Sequence, residues 1–241
     1  MSTAGASAPK ALGRPRLHLR QTDSTNSRAR ALAAAGAPHG TLITAGEQSA
    51  GRGRQGRTWS APPGQALLCS LIVRDPPRLL PLATGVAVAE VADRAGGAAG
   101  SAQVKWPNDI LLDGAKVAGI LVEGRPQENW AVVGVGLNVA VRASDLPREL
   151  RGRAATLGLD PADIEPTLDR LLRSLEVWLA AGRNAVLEAV RERDALFGRP
   201  VRWAAGEGRA DGIDADGSLR VITADGAVQT LTAGEVHLLP T

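Results

Sequence analysis

The sequence predicts an α+β protein: a mixed or antiparallel sheet domain followed by a small C-terminal SH3-like β module. Two observations predict it. Strand-like, helix-like and hairpin-like segments mix along the chain without strict βαβ alternation. After Phe197-Gly198-Arg199-Pro200 the texture changes to short alternating segments, VRW, SLRVIT, VQTLT and EVHLL, with turns at Asp216-Gly217 and Asp225-Gly226. The expected divisions are a mobile leader over 1–15, a main domain over 16–196 and the β module over 197–241.

Each element has its local reason. RLHLRQ, 16–21, alternates as a short strand does. Asp23, Ser24, Thr25 and Asn26 are all N-cap formers, and they precede an Ala-rich helix ending near Gly36. TLITAGEQ, 41–48, reads as a strand. QALLCSLIVR, 65–74, is a near-continuous apolar run and therefore a buried strand, broken at Asp75-Pro76-Pro77. Residues 79–95 predict a helix with Pro81 in its first turn, ended by GGAAGS. QVKW, ILLD and KVAGILVE are short strands, the last two joined at Asp113-Gly114, a hairpin signal. WAVVGVGLNV, 130–139, is another buried strand, in which Gly134 and Gly136 mark tight packing. Leu168, Leu171, Leu172, Leu175 and Leu179 recur at helical spacing over 166–182. Asn184 is the expected cap of a second helix over 185–195.

Composition limits the function. With 241 residues and a hydrophobic fraction of 44%, the chain can bury a substantial core. One Phe, no Tyr and five Trp leave that core to Leu, Val, Ile and Ala. The net charge of +3 leaves any anion-directed role to local clusters. A single cysteine, Cys69, excludes an intrachain disulfide and fits a reducing compartment. No apolar run reaches the ~18–20 residues that span a bilayer, and no signal-peptide core precedes 16. These features predict a cytoplasmic protein with no membrane partner. His18, His39 and His237 lie far apart and form no catalytic set, and no zinc spacing or phosphate-binding glycine motif occurs.

Four stretches carry chemistry. Asp23-Ser24-Thr25-Asn26 holds more polar side chains than a cap needs. QSAGRGRQGRTW, 48–59, alternates Arg52, Arg54 and Arg57 with Gly51, Gly53 and Gly56. Arginine supplies a planar, permanently charged fork for phosphate or carboxylate, and glycine lets backbone approach a ligand. Such a loop is expected to be flexible until an anion orders it. In Lys105-Trp106-Pro107-Asn108-Asp109, the proline pushes Trp106 to extended backbone, so Asn108 and Asp109 sit at a strand entrance. Asp109 reads either as a turn residue or as a magnesium ligand at a phosphate site. Lys116, in KVAGILVE, needs a partner or an anionic ligand if its strand is buried, and Gly119 permits close approach.

In this order and spacing, Asp23-Ser-Thr-Asn26, Gln48 with GRGRQGRTW, KWPND, KVAGILVE and GVGLNV resemble the biotin–protein ligase family across about residues 17–160. The C-terminal module resembles that family's small terminal domain. The resemblance implies a sheet domain of the biotin/lipoate ligase type. It also implies a two-step activity: biotin and ATP give biotinyl-5′-adenylate, and the biotinyl group passes to one lysine of a biotin carboxyl carrier domain. Acetyl-CoA, acyl-CoA or pyruvate carboxylase would supply that carrier.

By resemblance, Ser24, Thr25, Asn26 and Gln48 line the biotin head pocket. Gly51, Arg52, Gly53 and Arg54 close over biotin and the acyl phosphate. Arg57 contacts phosphate and Trp59 stacks on adenine. Lys116, beside Gly119, meets the biotin carboxylate and α-phosphate, and with Arg52 and Arg54 it makes the catalytic set. Asn108 and Asn138 serve the nucleotide, and Asp109 serves Mg²⁺. Gln55 stands where the family often has a basic residue. Only about 16 residues precede the first strand, too few for a three-helix DNA module, so the monofunctional type with no DNA partner is expected. The expected assembly is a monomer or weak homodimer. The readings set against this one are a lipoate or octanoate ligase and a non-catalytic single-strand nucleic-acid module using the Arg/Trp loop.

Overall fold

The computed structural model describes residues 12–96, 102–146 and 148–239. Most of the expected leader, and the residues after Gly96 in GGAAGS, lie outside the described residues.

A seven-stranded mixed sheet organises the chain, in the order β1-β2-β3-β7-β6-β5-β4. The strands are β1 Arg16–Leu19, β2 Leu42–Ala45, β3 Ala66–Arg74, β4 Ala102–Lys105, β5 Asp109–Leu112, β6 Ala115–Arg125 and β7 Trp130–Asn138. β1 runs parallel to β2, and the other neighbours pair antiparallel. The β5–β6 hairpin turns at Asp113 (φ 51°) and Gly114 (φ 79°), the pair of positive φ values that a tight two-residue turn requires.

Strand alternation sorts the two faces. Leu67, Cys69, Leu71 and Val73 of β3 pack with Val133, Val135 and Leu137 of β7 beneath two helices, α2 Leu80–Gly96 and α3 Ile164–Ala180. Helix α3 buries Leu168, Leu171 and Leu175, the leucine stripe expected from their spacing. On the opposite face, helix α1 Thr25–Ala34 covers one end, packing Ala29 and Ala33 on Ile43, Ile72, Trp130 and Val132. The rest of that face carries Ser70, Gly119, Gly134 and Gly136 between Leu68 and Leu121.

The last helix, α4, spans Arg183–Glu192 and is capped by Gly182, so Asn184 lies inside its first turn and is not its cap. Ser24 is the N-cap residue of α1, yet it makes no side-chain capping bond. Thr25 and Asn26 are spent on tertiary bonds instead.

The C-terminal module is a five-stranded antiparallel sheet, β11-β10-β9-β8-β12, of SH3-like type. Its strands are β8 Pro200–Trp203, β9 Gly206–Ile213, β10 Leu219–Ile222, β11 Val228–Leu231 and β12 His237–Leu238. Val201, Ile213, Leu219 and Val221 bury one face against Leu82 and Val86 of α2 and Val186 and Leu187 of α4. Trp106 joins this core, and its Nε1 donates to Gly217 O at 3.0 Å. A motif tryptophan thus fastens the module to the main domain.

Candidate functional site

The face of the sheet left open by α1 carries the site. Ser70 of β3, Gly134 and Gly136 of β7, and Gly119 and Glu123 of β6 occupy alternate positions opposite the leucine-rich face. Glycine is required here by close approach. A Cβ on Gly134 would stand 2.1 Å from Asn26 Oδ1, and one on Gly136 would stand 2.5 Å from Trp59 Cε2.

Lys116 reaches this face through an irregularity. Its strand slips register against β5: Ile110 faces Ala118, and Leu111 faces Lys116. One extra residue, Val117, therefore lies between the two pairings, so Lys116 and Gly119 share a face although three positions apart. Bulges commonly re-aim side chains at functional sites. The Lys116 ammonium lies 2.6 Å from Asp109 Oδ1 and 5.6 Å from the centroid of the Trp59 ring. Lys105 Nζ stands 3.9 Å from the other oxygen of Asp109. Burial pushes the Lys105 pKa down, and neighbouring Asp109 opposes that shift.

At the α1 end, buried polar groups form one network. Ser70 Oγ donates to Asn26 Oδ1 at 2.6 Å and lies 2.8 Å from Thr25 Oγ1. Gln48 Oε1 accepts from the Thr25 amide at 2.7 Å and from Thr25 Oγ1 at 3.1 Å. Asn26 Nδ2 donates to Glu123 Oε2 at 3.0 Å and to Leu121 O at 3.3 Å. Ser24, Thr25 and Asn26 are all buried. The Asn26 carboxamide is used at both ends by the scaffold, whereas among these bonds the Gln48 amide nitrogen makes none.

The arginine loop folds down over the sheet as a small hairpin, where the sequence predicts a segment ordered by its ligand. Arg52 bridges Thr58, Gly53 N donates to Arg57 O at 2.7 Å, and Trp59 N donates to Gly51 O at 3.0 Å. Three further contacts supply the order. Trp59 lies on the glycine floor, Arg52 pairs with Glu123 at 2.9 Å, and Arg57 pairs with Glu235 of the C-terminal module. A Cβ on Gly51 would fall 2.3 Å from Trp59 O. Arg54 lies 3.4 Å from Asn108 Oδ1, and its pKa is lowered first by burial and then by Arg57. Trp59 Nε1 is buried without a hydrogen-bond partner, an orphan donor that a ligand atom could satisfy.

Asn108 and Asn138 do structural work. Asn108 Nδ2 donates to Ile120 O at 3.1 Å, and Asn138 Nδ2 donates to Ala155 O at 2.9 Å. Residues 153–155 in turn pair with the Lys116 backbone. Asp109 is the carboxylate nearest Lys116, and two ammonium groups already flank it. Among the described residues no group of three His, Cys, Asp or Glu side chains could hold a metal. The donor set does not fit a resident metal.

Sequence reasoning quoted KVAGILVE but gave Glu123 no task, and it missed Glu235 altogether. Glu123 could have been found as the one charge following an apolar strand run that also holds Lys116 and Gly119. Glu235 gave no signal, because its partner is 178 positions away.

The site is thus a glycine floor approached by a lysine and arginines, on a mixed sheet with an appended β module. The chain belongs to the biotin/lipoate A/B protein ligase family: residues 18–139 match that family's model, and 196–239 match the biotin protein ligase C-terminal domain. It is 40% identical over 140 residues to the bifunctional ligase/repressor BirA of Bacillus spizizenii, covering 56% of this chain and 43% of that protein. The match thus spans less than half the length of that relative. It is 37% identical over 238 residues to the biotin–[acetyl-CoA-carboxylase] ligase of Mycobacterium tuberculosis, covering 90% of this chain and 87% of that one. The solved biotin protein ligase of Aquifex aeolicus in complex with biotin and ATP superposes with a TM-score of 0.77 at 25% identity, over 95% of this chain and 100% of that chain. Among the described residues, no helix is long and apolar enough to cross a membrane.

Proposed function

We propose that the chain activates biotin with ATP to biotinyl-5′-adenylate and transfers the biotinyl group to a lysine of a biotin carboxyl carrier domain. The observation that carries this reading is the Lys116 ammonium beside the Trp59 ring, over a floor of Gly119 and Gly136. The floor without side chains lets the Trp59 indole lie on the sheet, and the indole offers a purine a ring to stack on. The cations answer the charge that develops when two anions meet.

In the first step a biotin carboxylate oxygen attacks the α-phosphorus of ATP, and pyrophosphate leaves with the electrons of the broken P–O bond. Lys116 holds the carboxylate and the α-phosphate, whose repulsion is otherwise a barrier. Arg52 and Arg54 close over the mixed anhydride and exclude water, while Arg57 meets phosphate. Gln48, held by Thr25, offers its free amide nitrogen to the ureido ring. Thr25, Ser24 and Asn26 shape the wall behind it. Mg²⁺ enters as part of the ATP substrate, with its phosphates as the main ligands. In the second step the carrier's lysine amine attacks the acyl carbon, the C–O bond breaks, AMP leaves and the amine loses a proton. The ATP requirement and carrier partner fit a cytoplasmic site of action.

Domain limits of 16–196 and 197–241 belong to the same proposal, with the second unit steadying Arg57 through Glu235. Incubation with biotin, Mg-ATP and a recombinant carrier domain tests the reading. Avidin-detectable label on the carrier is expected. Label that appears with lipoate and not with biotin overturns it.

A further inference from the structure

We infer that Glu123 is a positioning residue for the arginine loop, holding Arg52 at the biotin end of the site. The inference rests on the proposed ligase reading. Glu123 stands at the crossing of three elements. From β6 its Oε1 takes Arg52 Nη2 of the loop at 2.9 Å and Arg30 Nη1 of α1 at 3.3 Å. Its Oε2 accepts Asn26 Nδ2 at 3.0 Å, and through Asn26 Oδ1 it is joined to Ser70.

One carboxylate therefore sets both the wall of the pocket and the first arginine of its lid. Its side chain is only 19% exposed, against 41% for Arg52 and 40% for Arg30. The carboxylate is the fixed member, and the guanidinium forks come to it from outside. Asn26 holds Oε2, so the position of Oε1, and with it the single contact to Arg52 Nη2, is set by the pocket wall. Arg52 uses one nitrogen on Glu123, and its other donors remain for an anionic ligand. Its hairpin neighbours Gly51 and Gly53 leave the loop little stiffness of its own, so the anchor decides where Arg52 points. Arg30 contacts the same oxygen alongside Arg52 without belonging to the loop. That supplies an internal control.

Two readouts test the inference. The first needs no ligand: the rate of tryptic cleavage at Arg52, mapped by mass spectrometry on the full chain. Glu123→Gln, which keeps an oxygen for Asn26, is expected to speed cleavage there by roughly 5-fold or more at an unchanged Tm. Arg30→Gln is expected to leave the rate at Arg52 unchanged. The second readout is the KM for biotin in adenylation, expected to rise roughly 5-fold or more in Glu123→Gln. Combining it with Arg52→Gln should add no further loss. Equal cleavage in wild type and Glu123→Gln overturns the inference. So does faster cleavage with an unchanged biotin KM, because Glu123 would then only stiffen the loop. If the wild-type chain shows no biotin-dependent reaction, the ligase reading fails, and the catalytic part of this inference is overturned with it. The proteolysis still decides separately whether Glu123 holds Arg52. If Glu123→Gln lowers Tm, Glu123→Asp at unchanged Tm serves in its place, since it keeps the charge but shortens the reach.

Discussion

Lys116 and Asp109 meet at 2.6 Å across the register slip between β5 and β6. Asp109 is 8% exposed, and two lysines stand beside its carboxylate. The pair holds Lys116 beside a tryptophan face, where an anion can take it over. Lys116→Ala therefore has two expected effects. Adenylation falls by about 10²–10³-fold through lost transition-state stabilisation, and Tm drops because Asp109 loses its nearer partner. Pyrophosphate release and thermal melts check both. Near-normal release contradicts the assignment.

Gly136→Ala tests the floor. The new Cβ would stand 2.5 Å from Trp59 Cε2 and 2.7 Å from Nε1, so the indole must move off the sheet. The expected cost is about 1–3 kcal/mol of stability. It should come with altered tryptophan emission and a raised KM for ATP. Unchanged emission together with unchanged kinetics contradicts the stacked arrangement.

Cys69 gives a prediction about pH. Burial in β3 pushes its thiol from 9.0 up to about 12. The folded state keeps the proton in a window where the unfolded state has lost it, so stability contributed by this group falls as pH rises from about 9 to about 12, by at most ~1.4 kcal/mol per unit. Below pH 9 the contribution is flat. Cys69→Val should flatten the alkaline slope of chemical denaturation. In the native wild type a thiol reagent at pH 8 should react only on unfolding.

Much of the fold was legible because periodicity reports burial directly. The run 65–74 became the fully buried centre of β3, and the leucines of 168–175 became the inner stripe of α3. Asp113-Gly114 turned as its chemistry requires. Helix caps were less legible. Asp23 to Asn26 look like cap residues, but Ser70, Gln48 and Glu123 claim Thr25 and Asn26 from strands and a loop far away in sequence. Asn184 lost its capping role to Gly182.

The site was legible as motifs and illegible as geometry. Nothing local in KVAGILVE announces the slip at Val117 that turns Lys116 onto the glycine face. Nothing in GRGRQGRTW names Glu123 and Glu235 as the acids that hold Arg52 and Arg57. Both are long-range pairings, invisible to a window of a dozen residues. Asp109 illustrates the same limit: the sequence offers a turn residue or a magnesium ligand, and neither reading contains the two lysines that the fold places beside it.

The measurement that bears most directly on the ligase reading is biotin-dependent exchange between pyrophosphate and ATP, run with Mg²⁺ and no carrier protein. The account predicts exchange with biotin, little with lipoate or octanoate, and loss of about 10²–10³-fold in Lys116→Ala. Exchange that ignores biotin, or survives removal of the Lys116 ammonium, would contradict it.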